Sequence, residues 1–338
     1  MSDLPNGAPF RFLVRIRRSA LLCALAALAA CSSEAPSTQF LSIGSAPPGG
    51  AFFIVGGALA EVLTEHGDGR WDVTSEATKG TLESIRRLDR EELELGLANS
   101  SITYFAVRGE RGWDKPYPVR SLMTLAHNVL VFVTPKSSGI ESIADLAGKR
   151  VVVGVAGAGW EFFIQPILAA HGLSYDDFTP LNNTQAGAVD MLADGSADAA
   201  FLGGAVPTAS MVQATTSADI LLVPFDEEPR AQLVEEYPFY FDVPIPARTY
   251  RGQDEEFAGL NCGSMHVIVH ENMDDELAYE ITRTIYENGD RVTQKHPAGG
   301  FIRPDNVARD TGTPFHAGAI RYYREIGIWP TDQEPLRE

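Results

Sequence analysis

Four short turns hold most of the groups in this 338-residue sequence that could grip a small molecule. They contain Gly50-Ala51-Phe52, Gly80-Thr81, Asn99-Ser100 and Gly157-Ala158-Gly159-Trp160, and Gly203-Gly204 makes a further glycine turn. With so few β-carbons, the backbone can lie close against a bound molecule. Thr81, Asn99 and Ser100 add hydrogen-bonding groups with a defined direction. A helix is expected after most of these turns, and its first free N–H groups attract a carboxylate or phosphate. That chemistry is recognition rather than bond breaking.

Competing chemistries lack their parts. A dinucleotide fingerprint needs G-x-G-x-x-G and an acidic residue about 20 positions on. Phe162 stands where the third glycine belongs, and no second strand visibly presents Asp176 or Asp177. His266 and His270 with Glu271 invite a metal reading. Val267-Ile268-Val269 between them reads as strand, and four residues along a strand span about 13 Å, too far for one ion. The sequence has no G-x-S-x-G, no H-E-x-x-H and no P-loop. Cys262 reads as a small buried apolar residue. The expectation is a binding protein with no catalysis, metal or cofactor.

The elements that position the turns repeat as strand, loop, helix. Strands are expected at 40–43, 71–75, 93–98 and 150–154, with helices at 51–66, 81–88 and 160–171. Ile140, Ile143 and Leu146 are spaced as a helix that Gly148 ends. The pattern implies parallel α/β sheets, whose ligands lie beyond the carboxyl ends of the strands. Residues 129–133 read as a crossing into a second lobe and 264–270 as the return. Helices are expected at 185–192, 274–288 and near the C-terminus, and a strand at 198–202 runs into Gly203-Gly204. The stretch 237–250 and the acidic cluster before Pro229 read as irregular. The expected fold is a bilobed periplasmic-binding-protein type II fold, two α/β lobes joined by two crossing strands. Lobe 1 covers 39–131 and 263–338, and lobe 2 covers 132–262; hinge closure over a ligand goes with that shape.

The first 30 residues read as a signal peptide. Arg11, Arg15, Arg17 and Arg18 precede an apolar run at 20–30, too short for a mature membrane helix. Leu28-Ala29-Ala30-Cys31 resembles the bacterial lipoprotein box, which makes Cys31 the lipidation site and 31–38 a tether. The expected location is periplasmic, lipid-anchored to a bacterial membrane. Formal charge is −18, from 27 basic and 45 acidic residues, a poor match for nucleic acid. Any anion therefore needs local backbone dipoles.

Taken in order, residues 44–60 (GSAPPGGAFFIVGGALA), 81–88, 145–159, 198–207 and 314–327 (PFHAGAIRYYREIG) resemble the TAXI family. These are the solute receptors of tripartite ATP-independent periplasmic (TRAP) transporters. The resemblance implies a receptor that hands a small organic acid or amino acid, glutamate and dicarboxylates among them, to a sodium-coupled TRAP permease. Family members usually carry G-G-x-Y-Y-P, G-S-x-x-N, Q-S-D and G-S-G-T at the four turns. Here Phe52, Thr81, Asn99, Ala158 and Trp160 depart from those patterns. Hydroxyls are lost and a large ring is gained, so the expected ligand pairs a carboxylate with an apolar body against Phe52 and Trp160. The alternative is a sensing lipoprotein that shows its ligand to a membrane signalling partner.

Overall fold

The computed structural model describes residues 38–48 and 50–329. The expected lipidation site Cys31, the expected signal peptide, nearly all of the expected tether and Gly49 lie outside the described residues. From Phe40 onward the chain is one unit.

Buried, β-branched runs make its strands, in two sheets. In chain order the first lobe builds β1 (Gln39–Gly44), α1 (Ala51–His66), β2 (Trp71–Glu76), α2 (Thr81–Asp89), β3 (Leu95–Asn99), α3 (Ser100–Ala106) and β4 (Val119–Thr124). The second builds β5 (Val129–Pro135), β6 (Arg150–Val152), α4 (Glu161–Ala170), β7 (Thr179–Leu181), α5 (Gln185–Asp194) and β8 (Ala199–Gly204). It continues with α6 (Ala209–Ser217), β9 (Ile220–Leu222), α7 (Glu227–Glu236), β10 (Tyr240–Asp242) and β11 (Leu260–Cys262). The chain then returns as β12 (Met265–His270), α8 (Asp275–Glu287), α9 (Gly289–Lys295) and α10 (Ala317–Glu325). One sheet has the order β2-β1-β3-β12-β4. The other runs β10-β11-β5-β8-β6-β7, with β9 also on β5. This is the bilobed α/β architecture the sequence implies.

Several details differ from the sequence reading. The sheets are mixed: β12 lies antiparallel between β3 and β4, and β5 is antiparallel to β8. The cause is the return of the chain, which enters the first sheet from the opposite end. Residues 129–133 are not the crossing but a fully buried strand inside the second sheet. The crossings are the residues between the strands, 125–128 and 263–264, and the first pairs with the strand ends that flank the second. Leu125 N donates to Met265 O (2.7 Å), Met265 N to Ala126 O (2.8 Å) and Cys262 N to Asn128 O (2.8 Å). Residues 140–147 form only a short turn at Ala144–Leu146, because the Asp145 carboxylate captures the N–H groups of Glu141 and Ser142. The acidic segment at Pro229 is helical (α7). Proline falls in the first turn, where its missing N–H has no intrahelical partner anyway. A short strand, β10, sits inside the stretch expected to be irregular, held by β11.

The hydrophobic core does not stop at the lobe boundary. One face of the first sheet, with Leu41, Ile43, Leu97 and Val267, packs under α1, α8 and α10. On its other side lie α2 and α3, whose Ile85, Ile102 and Phe105 are continuous with the second lobe's core. Phe105 lies 6.1 Å from Phe162, 5.8 Å from Phe239 and 5.9 Å from Tyr237 between ring centroids. Along α3, then, the space between the lobes is filled with packed aromatic side chains. Ring pairs at these separations contribute about 0.5–1.5 kcal/mol beyond area burial, so the lobes are held together on that side.

Gly203 shows how closely β8 lies against β5. It sits opposite Leu130 with φ +147°, and an added Cβ would fall 2.0 Å from the Val129 carbonyl oxygen. Gly203→Ala is expected to destabilise the protein by about 2 kcal/mol or more, read as a lower denaturant midpoint at unchanged slope. An unchanged midpoint would mean the strand contact is looser than described.

Candidate functional site

The strand-tip turns are built by the residues that hold them still. In the first lobe, Ser45 N and Oγ both donate to Glu76 O, at 2.9 and 2.8 Å, tying the tip of β1 to that of β2. Thr78 Oγ1 donates to Ser45 O (2.9 Å) and receives Gly80 N (3.0 Å). Thr81, buried, accepts Asn99 N through Oγ1 at 3.0 Å, so two of the expected ligand-facing residues bond each other. Asn99 is engaged on both sides of its carboxamide. Nδ2 donates to Cys262 O (3.3 Å) and Gly263 O (3.0 Å), while Oδ1 accepts Ser101 N (2.9 Å) and Oγ (2.6 Å). Asn99 thereby caps α3 and grips the return crossing at once. A Cβ on Gly263, at φ +98°, would fall 2.1 Å from Asn99 Oδ1, so that glycine is required for the grip.

In the second lobe, the carboxamides of Asn182 and Gln185 and the backbone of Asn183 hold the glycine tips. Asn182 Nδ2 donates to Gly154 O (3.1 Å), and Asn183 N donates to the same oxygen (3.1 Å). Gln185 receives Gly203 N on Oε1 (3.0 Å) and donates from Nε2 to Gly203 O (2.9 Å), with Ser210 Oγ donating to the same Oε1 (2.6 Å). Ser45, Thr78, Asn182, Asn183 and Gln185 were not among the expected site residues. The Asn-Asn-Thr-Gln run after β7, four polar residues at a strand tip, was the available signal.

The predicted residues fall into two groups. Gly159, and Gly154 before it, which was not an expected site residue, are glycines for the protein's own packing. The Trp160 ring lies over Gly154, where a Cβ would come within 2.2 Å, and Gly159 rests against Ile102 and Leu82 of the first lobe. Trp160 is half-buried, its ring 5.7 Å from Phe163 and 6.5 Å from Phe201, so much of it packs on the second lobe. Gly50, Gly80 and Gly157 have open space where a side chain would sit. Gly157 is exposed, Ala158 is half-buried, and Gly204 nears the Thr208 side chain. Ala51 and Phe52 are half-buried and pack on the first lobe's core, as does Ala205 from the turn after Gly204. Turns of the second lobe thus touch the first at both Gly159 and Ala205.

Helix starts at these tips carry free N–H groups. The residues before α1, α2, α4 and α6 (Gly50, Gly80, Trp160 and Thr208) provide no side-chain cap. Asn99 before α3 and Thr184 before α5 do. Uncapped starts leave orphan donors and the positive end of the helix dipole at the strand tips.

Behind Ser100 lies a buried polar seam. Thr103 Oγ1 donates to Ser100 O (3.1 Å) and meets His266 Nε2 (2.9 Å) and Thr313 Oγ1 (2.8 Å). His266 is fully buried, its Nδ1 unpartnered, and burial pushes its pKa down to about 3. Burial likewise pushes His127, beside Asn306, down to about 4. Cys262 is fully buried and its thiol is pushed up to about 12 by burial, so it is a core residue, not a nucleophile. Among the described residues no cluster of His, Cys, Asp and Glu is placed to hold a metal.

Two glycine-tipped α/β lobes on a double crossing define a substrate-binding-protein fold. The chain belongs to the NMT1-like family, whose model matches residues 43–327. It is similar to the periplasmic sulfonate-binding protein SsuA from Methylobacillus flagellatus, with 14% identity and a TM-score of 0.51 over 89% of this chain and 99% of that one. A Xanthomonas citri protein bound to ATP is similar at 11% identity and TM-score 0.52, over 86% and 96% of the two chains. The binding-protein component of an ABC phosphonate transporter from Pseudomonas aeruginosa matches at 9% identity and TM-score 0.50, over 77% and 79%. At these identities the likeness is one of fold. None of these matches singles out a TAXI receptor.

The neutral His266 links stability to pH. Unfolded histidine titrates near 6.5. Below that pH the unfolded chain takes a proton that the native site refuses until about pH 3, so stability falls as pH falls. A loss of about 1.4 kcal/mol per pH unit between roughly pH 6 and 4 is expected from this residue. His266→Gln should flatten that part of the denaturation-against-pH curve, and an unchanged slope would contradict the buried neutral ring.

Proposed function

We propose that this protein is an extracytoplasmic solute receptor that binds a small organic anion between its lobes and delivers it to a membrane transporter, without catalysis. The observation that carries the reading is the set of uncapped helix starts at Gly50, Gly80, Trp160 and Thr208, drawn from both lobes. In a chain of net charge −18, orphan backbone donors are the available source of attraction for an anion. Open space over Gly50, Gly80 and Gly157 supports close approach by a ligand, and Phe52 with the free part of Trp160 supplies an apolar wall. Asn99 and Thr81 bond other parts of the protein, so they position the turns and the orphan N–H groups make the direct contacts.

The finer reading keeps the TAXI resemblance: the transporter is of the TRAP type, and the receptor is held at the periplasmic membrane face by lipid on Cys31. Solved neighbours named as parts of ABC transporters share only the fold, and motif order along the chain favours TRAP. The sensing alternative would use the same pocket with another partner.

A thermal-shift screen against organic acids and amino acids tests the binding. A ligand at 100 times its Kd stabilises by about 2.7 kcal/mol. Trp160→Ala should weaken the best acid by roughly tenfold or more, the worth of a buried aromatic contact. Cells carrying receptor and permease should take up that acid only with a sodium gradient. Hits confined to sugars or cations would end the anion reading, and ATP-driven, sodium-independent uptake would end the TRAP reading.

A further inference from the structure

At the outer rim of the lobe boundary lies a cavity of about 240 Å³ that the solute reading does not use. The first lobe supplies Arg86 from α2 with Arg111 and Trp113 from the loop before β4. The second supplies Glu161, Phe162 and Gln165 from α4.

Both arginines are held by neutral groups. The Arg86 guanidinium lies 5.4 Å from the Trp113 ring centroid. That of Arg111 lies 4.8 Å from the Phe105 ring and donates to Tyr237 Oη at 3.3 Å. Among the described residues neither arginine has a carboxylate within ion-pair distance, although Glu161 lines the same cavity. Trp113 is only 6% exposed, and its indole N–H has no acceptor. Positive charge therefore lines one wall and negative charge the other, over an apolar floor of Trp113 and Phe162, and the two signs do not meet. A molecule that satisfies both walls carries both charges.

We infer that this rim cavity is a second binding site, for a small zwitterion such as a free amino acid. The carboxylate is taken by Arg86 and Arg111, with the Gln165 amide as a further donor, and the ammonium by Glu161. Because the two charges of the ligand contact different lobes, an occupied site holds the rim of the lobe boundary closed. Leu82 and Glu161 stand at both places, giving backbone N–H groups to the strand tips and side chains to this cavity; the charged side chains used here are not part of the solute reading.

Isothermal titration of the full-length protein with each common amino acid, and with acetate and methylammonium as single-charge controls, tests this. At least one amino acid is expected to bind where neither control does. Arg86→Gln/Arg111→Gln and Glu161→Gln should each weaken that binding roughly tenfold or more, with circular dichroism unchanged. Trp160→Ala should leave it intact, which separates this site from the strand-tip one. The inference is overturned if no amino acid binds, or if only Trp160→Ala abolishes binding. Binding that needs the arginines but not Glu161 would overturn the zwitterion assignment.

Discussion

Asn99 joins its own helix start to two other stretches of chain, one of them at least 163 residues away. Its carboxamide nitrogen holds the carbonyls of Cys262 and Gly263, its carboxamide oxygen starts α3 through Ser101, and its backbone N–H is held by Thr81. Buried and fully hydrogen-bonded, such a group resists displacement, because each partner left unpaired would cost about 1–3 kcal/mol. The return crossing is thus fastened to the tips of the second and third turns of the first lobe. With the first crossing also paired to the strand ends that flank the second, the lobes have a defined joint, and the placement of every strand tip follows from it.

From that joint the lobes meet in two different ways. Along α3 they share aromatic packing: Phe105, Phe162, Tyr237 and Phe239 make one body of rings, with the rim cavity at its edge. At the strand tips they meet through glycine turns, with Gly159 against Ile102 and Leu82. Packed rings fix the separation of the lobes, and side-chain-poor turns leave backbone donors near the gap. The division of labour explains why polar side chains at the tips mostly bond the protein. Asn182, Asn183 and Gln185 immobilise glycine backbone whose freedom would otherwise be lost on binding, and preorganisation of that kind favours affinity.

Much of the architecture was legible in the residues. Leu277, Ile281 and Ile285 stand four apart with Gly289 past the end, and the structure places α8 there, with Ile281 and Ile285 buried and Leu277 partly buried. The glycine turns did fall at strand tips. What could not be read was anything set by distant partners. The donors of Asn99 find acceptors 163 and 164 residues away, so a residue that looked like a ligand contact is a brace. The antiparallel entry of β12 depends on how the chain returns from the second lobe, which no local pattern encodes. Pro229 hid α7 because proline disfavours helix interiors but not first turns. Trp160 was read as a ligand wall, yet its first partner is the bare backbone of Gly154, a contact that only the folded turn creates.

Backbone amide hydrogen exchange, with and without the acid that stabilises the protein most, addresses the central claim directly. New protection is expected in the first turns of α1, α2 and α4, at Phe52, Leu82 and Glu161, with the core strands β3 and β5 unchanged. Protection confined to side-chain-capped starts such as those of α3 and α5, or found nowhere at the strand tips, would contradict the claim that orphan helix N–H groups hold the solute.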